Sequence, residues 1–386
     1  MKKLKHAIVI VALVVSSLAP SLPARADDPS DFMLVFYFFA WTLANPPGAA
    51  VLALDANLWQ FLIDSSVPFM SPYAPALRTL ALTKAPTLKP KASPPKVAAK
   101  TIANSYSQVI SFGDSMSDNG NMLKVTSDLT GWGLPMAPNN NGRFCNGPVI
   151  LEVMSNILNR SLLNYAFGGG QSGYTGLVPV FALQIGVLNQ VDDFIGSLGF
   201  LRPADPKALY VIWTGPDDYY QSIFMYFPSV TDSITANVKR AMTKLYQRGA
   251  RQFFVPLMPD LSITPAANLH NQYQTNYLTA ASQRSNELAT SMSAMLKSFA
   301  KQYPLAKVRS FDTLTYSQNQ YALAVRNGIN VTTPCYQPPF MGLPGPVCDS
   351  PGKYLFWDEN HPTAEANLAF GEAFANAAVS APLPTR

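Results

Sequence analysis

The stretch SQVISFGDSMSDNGN, residues 107–121, starts as an apolar, β-branched run at 109–112 and breaks at Gly113 into small and polar residues. That is a short buried strand ending in a turn. Four more runs of the same kind follow, at 162–166, 208–213, 252–257 and 307–311, and helical periods lie between them. Between the third and fourth, Ile234, Val238, Ala241, Met242 and Leu245 recur on one helical face, and Gly249 stands where a C-cap belongs. A second long helical stretch covers about 271–303, and a last helix is expected after Pro362. Strands alternating with crossover helices predict an α/β domain with a central, mostly parallel sheet between helical layers.

Open sheets of this kind place their sites outside the carboxyl ends of the strands. Ser115 follows the first strand, between Asp114 and a polar turn, and so stands where a nucleophile would. Gly-Asp-Ser also makes ordinary turns, so the tripeptide alone decides little.

Serine needs a base, and histidine is the usual one near neutral pH. The chain has three histidines, and His6 lies in a segment that looks removable. His270 sits among polar residues, in NLHNQY, and reads as a surface residue. His361 lies in WDENHPT, three residues after Asp358 and ahead of the last helix. An aspartate at that spacing can hold Nδ1–H of the ring and leave Nε2 to accept the serine proton.

Upstream of this domain the composition changes twice. Residues 84–104 are rich in Lys and Pro, with no acidic and no aromatic residue, which predicts an extended linker open to proteases. Residues 27–83 form an apolar N-terminal extension, with FMLVFYFFAWTL at 32–43 and a second apolar patch at 58–63. The first run is too short to span a bilayer. It either packs on the main domain, contacts membrane, covers a hydrophobic site or acts as a propeptide.

Residues 1–26 read as a signal peptide, with a Lys-rich start, the apolar run 7–18 and Ala24-Arg25-Ala26 before Asp27-Asp28. The mature protein is therefore expected to be secreted, or periplasmic in transit. Removing Lys2, Lys3, Lys5 and Arg25 from the 28 basic residues leaves 24 against 23 acidic ones. A chain so nearly neutral is not expected to bind nucleic acid through its overall charge.

Cysteine usage fits export. Cys335 and Cys348 flank CYQPPFMGLPGPVC, a Pro- and Gly-rich loop with no period of its own, and a disulfide closing it is expected. Chain entropy alone would make that worth about 3 kcal/mol. Cys145 is left over and reads as a small buried apolar residue. No 20–50-residue repeat, Cys/His metal spacing or phosphate-loop motif is present.

Together GDSMSDNGN (113–121), NGRFCNGP (141–148), NYAFGGG (164–170), the Gly-x-x-Asp turn at 215–218 and DENHPT (358–363) resemble the successive motif blocks of the SGNH, or GDSL, serine esterases and lipases. The fuller forms resemble the bacterial secreted branch of lysophospholipases and glycerophospholipid:cholesterol acyltransferases. The resemblance implies the SGNH hydrolase fold, a three-layer α/β sandwich. It makes Ser115 the nucleophile, His361 the base and Asp358 the residue that orients it, with no metal and no organic cofactor. It also aims the backbone N–H groups of Ser115 and Gly169 at the oxyanion.

The third oxyanion donor in this family is usually an Asn, and the matching position here is Asp217. An ionised carboxylate cannot donate. Either Asp217 is protonated and points into the hole, or Pro216 reshapes the turn so that Asp217 faces solvent or caps a helix. Cys145 is a lesser departure, where related sequences commonly have Ser.

The chemistry implied is acyl transfer through a Ser115 ester. The expected substrate is a lipid or phospholipid, with cholesterol as a second acyl acceptor beside water, a membrane surface as the place of action and an activating protease as a further partner. The competing readings are a short-chain or carbohydrate esterase on the same fold, and a membrane-interacting protein that Asp217 has weakened as a catalyst.

Overall fold

The computed structural model describes residues 91–93, 100–130, 133–174, 176, 185–220, 229–338 and 344–380. The expected signal peptide, the apolar extension 27–83 and most of the linker 84–104 lie outside them.

The elements run β1 (Lys91–Ser93), β2 (Val109–Gly113), α1 (Asn121–Thr130), α2 (Ile150–Ile157), β3 (Leu162–Asn164), α3 (Val187–Ser197), β4 (Leu209–Trp213), α4 (Pro216–Tyr219), α5 (Ser229–Arg248), β5 (Gln252–Pro256), α6 (Pro265–Tyr273), α7 (Tyr277–Gln302), β6 (Lys307–Phe311), α8 (Thr313–Arg326) and α9 (Ala364–Ser380). The sheet order is β1-β3-β2-β4-β5-β6. β2 to β6 are all parallel, and β1 is antiparallel on the edge.

Both faces of the sheet are covered, which is why its strands are continuously apolar in sequence. Alternate residues of β4 show this. Tyr210 and Ile212 enter a core with α3, α5 and α7, whereas Leu209, Val211 and Trp213 enter a second core with α2 and α9. The result is the expected three-layer α/β sandwich of the SGNH hydrolase fold. Among the described residues no helix is long and apolar enough to cross a membrane.

Two local expectations are corrected. The helical stretch 271–303 is two helices, because Asn276 adopts a left-handed conformation (φ 63°) between α6 and α7. Within 84–104, Lys91–Ser93 pairs with β3 instead of remaining free, and Ile102 N–H donates to Ile157 C=O over 3.0 Å. Without β1, strand β3 would leave an unpaired edge, and a short strand between prolines 90 and 94 satisfies it.

Candidate active site

β2 is the point where the sheet order reverses, since the next strand, β3, lies on one side of it and β4 on the other. A crevice opens at the carboxyl end of such a strand, and Asp114-Ser115 follows β2 there. Gly113 is needed at this corner because a Cβ would lie 2.4 Å from the Trp213 carbonyl oxygen of β4. Gln190 of α3 fixes it, accepting the Gly113 N–H (2.8 Å) and donating to the Gly113 carbonyl (2.7 Å).

Ser115 Oγ lies 2.7 Å from His361 Nε2, and both Asp358 carboxylate oxygens lie 2.8 Å from His361 Nδ1. A carboxylate can only accept, so the ring carries its proton on Nδ1 and Nε2 is free to accept from the serine. Asp358 Oδ1 also accepts the backbone N–H groups of Asn360 and His361, so one carboxylate shapes the turn and aims the ring.

That turn is held from behind. Trp357 N–H donates to the His361 carbonyl (2.7 Å), its indole N–H donates to Asn139 Oδ1 (3.0 Å), and the Tyr336 ring stacks on it at 5.3 Å. Cys335 N–H donates to the Phe356 carbonyl (3.1 Å), and Cys335 is bonded to Cys348. The disulfide loop thus braces the segment leading to His361. Cys145 is a buried free thiol, its pKa pushed up to about 12 by burial.

Gly169 has φ +79°, a left-handed backbone that a side chain would strain. Among the described residues neither its N–H nor that of Ser115 has an acceptor. A buried polar network joins the loops that carry these two groups. Asp118 accepts N–H bonds from Gly120, Asn121 and Met122 at the start of α1, and from Gly168 (2.8 Å). Asn164 donates to the Ser117 carbonyl (2.7 Å), and Asn121 donates to the carbonyls of Asn164 and Ala166.

Asp217 is 4% exposed, so it does not face solvent, and its Oδ2 has no hydrogen-bond partner among the described residues. It follows Pro216, the first residue of the four-residue α4, just beyond the carboxyl end of β4. Burial pushes its pKa well above the usual carboxylate range, and the charges of Asp114 and Asp218 add to the shift. Asp218 is raised to about 6, mainly by burial against the two hydrogen bonds from Ser172. Asp114 is raised by burial to about 7, although it accepts the Met116 N–H.

Ser115 and His361 open into a cleft of about 650 Å³, counted to its mouth, with Met116, Leu261, Ile263, Leu355 and Phe370 in its wall. Pro216 and Tyr220, on either side of the Asp217 turn, line the same cleft. Among the described residues no group of His, Cys, Asp and Glu could hold a metal ion.

The geometry therefore gathers Ser115, His361 and Asp358, leaves the N–H groups of Ser115 and Gly169 without an acceptor among the described residues, and buries the Asp217 carboxyl. Sequence reading assigned no role to Asp118, Asn121, Asn164 or Gln190. The first three lie in the quoted SDNGN and NYAFGGG blocks, but nothing in the sequence marked Gln190. His270 differs from its surface reading, since its ring packs 4.9 Å from Tyr277 and burial lowers its pKa.

The chain is 25% identical over 284 residues to the thermolabile hemolysin of Vibrio parahaemolyticus, an alignment covering 69% of this chain and 62% of that one. It is 26% identical over 315 residues to an acetylesterase of Thermothelomyces thermophilus, covering 78% and 95%. A GDSL esterase/lipase of Arabidopsis thaliana is 25% identical over 342 residues, covering 70% and 89%. Among solved structures, an acetylxylan esterase of Geobacillus stearothermophilus overlaps 73% of this chain and 99% of its own, with a TM-score of 0.36 at 11% identity. The family model described as GDSL-like Lipase/Acylhydrolase matches residues 109–374, from the first residue of β2 into α9, and it is to this family that the chain belongs.

Proposed function

We propose that the protein is an exported serine hydrolase that cleaves or transfers the acyl chains of phospholipids and lysophospholipids. The observation that carries the reading is the line Ser115 Oγ–His361 Nε2–Nδ1–Asp358, at 2.7 and 2.8 Å. Ser115 Oγ attacks the ester carbonyl while His361 takes its proton, and Asp358 stabilises the resulting imidazolium. The oxyanion rests on the N–H groups of Ser115 and Gly169, with neutral Asp217 as third donor. His361 then protonates the leaving alcohol. Water, or the hydroxyl of a sterol such as cholesterol, attacks the Ser115 ester and restores the enzyme.

An apolar cleft wall supports a lipidic acyl donor, as does similarity to a protein named a hemolysin. The acetylesterase relative favours a second reading, hydrolysis of short acyl groups. Hydrolysis of nitrophenyl esters from acetyl to palmitoyl, alongside lysophospholipid with and without cholesterol, separates the two. Rates rising with chain length support the lipid reading, and activity confined to acetyl esters removes it. The leader at 1–26 and the disulfide support secretion, and the membrane surface is the expected place of action. An activating protease would cut the Pro-rich segments at 84–104 or 335–348; limited proteolysis that leaves activity unchanged removes that part.

A further inference from the structure

The amino ends of the strands form the opposite end of the molecule from Ser115. The loops 158–161, 198–208, 249–251 and 303–306 enter β3, β4, β5 and β6 there. Phe200 and Leu201, at the tip of the longest, are 92% and 89% exposed, and Leu305 in the neighbouring loop is 67% exposed. Among the described residues, large apolar side chains this exposed and adjacent in sequence are the exception.

The same end is basic. Arg160, Arg202, Lys207, Arg248, Arg251 and Lys307 lie in or directly flank these loops, against one carboxylate, Asp205. Asp205 is already occupied by the Ser107 hydroxyl (2.6 Å) and the Lys207 N–H (2.8 Å). None of the six cations has a carboxylate partner among the described residues.

Apolar tip and basic rim form one surface. Arg248 donates to the carbonyls of Gly199 and Phe200, which props the tip. Arg251 lies over the Tyr246 ring at 4.3 Å, that ring packs against Tyr303 at 4.6 Å, and Lys307 N–H donates to the Arg251 carbonyl. The chain as a whole is close to neutral without its leader, so this is a local concentration of positive charge.

We propose that this end is a docking surface for an anionic lipid bilayer, with Phe200 and Leu201 entering the headgroup layer and the surrounding Arg and Lys facing lipid phosphates. Aromatic and aliphatic tips inside a basic rim suit the membrane interface, where apolar burial and attraction to anionic lipid act together. A nucleic acid would also meet the charge, so its binding is compared directly in the test below. The strands separate this surface from Ser115 by about 17 Å of sheet. The cleft of a docked molecule therefore faces away from the bilayer it sits on and meets a facing membrane or lipid released into solution, so binding is separable from turnover. The inference does not rest on the catalytic reading.

The test is flotation of the full chain with phosphatidylcholine vesicles containing about 30% phosphatidylglycerol, against pure phosphatidylcholine and at rising salt. Binding to the anionic vesicles, at least about tenfold weaker to neutral ones and falling with salt, is expected. The double variants Phe200→Ser/Leu201→Ser and Arg202→Glu/Lys307→Glu should each weaken it about tenfold, with hydrolysis of a soluble ester unchanged as the check on folding. Wild-type failure to bind, variants that bind like wild type, or tighter binding to a DNA duplex than to the vesicles would each overturn the proposal.

Discussion

The Asp118 carboxylate accepts the N–H of Gly168 over 2.8 Å while its oxygens cap the start of α1, so one buried side chain ties the loop before Gly169 to the loop after Ser115. Asp118→Asn replaces one acceptor oxygen by a donor and sets it against an N–H. The loop must then shift, and the Gly169 N–H shifts with it. We expect kcat to fall about 10²-fold, the range for one misplaced oxyanion donor, with little change in KM. An Asn variant within threefold of wild type would show that Gly169 does not depend on this anchor.

Lys91 reaches from the edge strand to the same loop, donating to the Asn119 carbonyl over 2.6 Å. Burial, with the positive charge of Arg143, lowers its pKa, so the ammonium is held there at some cost. If the contact positions the Ser115 loop, Lys91→Met should reduce kcat about tenfold, or ~1.4 kcal/mol, at unchanged KM. Unchanged kcat with a lower Tm would mean that β1 only covers the edge of β3.

Asp217 gives a pH signature. Its carboxyl pKa is raised by burial and by Asp114 and Asp218, so it is neutral, and able to donate, below that raised value. As pH rises through it the donor becomes a carboxylate next to the oxyanion, and the rate falls. Asp217→Asn keeps a donor at every pH. The variant should match wild type in mildly acidic solution and outlast it on the alkaline side, by up to about 10²-fold. Superimposable pH–rate profiles would place Asp217 outside the oxyanion site, and loss of activity in the variant would give its carboxyl a different role.

Asp114 makes a stability signature of the same origin. Its pKa is about 7 in the folded state against an ordinary value of 3.8. The folded state therefore binds more protons between these values, and stability is lost as pH rises through that window. Asp114→Asn removes the ionisation and keeps an acceptor for Met116 N–H. At pH 8 its Tm should exceed that of wild type by about 2–4 °C for each kcal/mol recovered, and the gap should close near pH 4. A gap independent of pH would assign the effect to packing.

Legibility in the sequence followed burial. β2, β4 and β5 are apolar on both faces and stood out as runs, and the scarcity of histidine isolated His361. Lys91–Ser93 carries no strand pattern, because its pairing is set by the open edge of β3 and not by its own side chains. Gln190 is a lone polar residue on a helix whose bonds to Gly113 join positions 77 residues apart. The solvent-facing alternative for Asp217 failed for a related reason: Pro216 starts a helix there, and packing around that turn buries the carboxyl.

The claim that Ser115 is a nucleophile activated by His361 is tested most directly by fluorophosphonate labelling of the full chain, with the modified peptide identified by mass spectrometry. A single adduct on Ser115 is expected, lost in Ser115→Ala and nearly lost in His361→Ala, with ester hydrolysis falling to background in both. An adduct on another residue, or a His361→Ala variant that keeps more than about a tenth of the activity, a loss under ~1.4 kcal/mol, would contradict it.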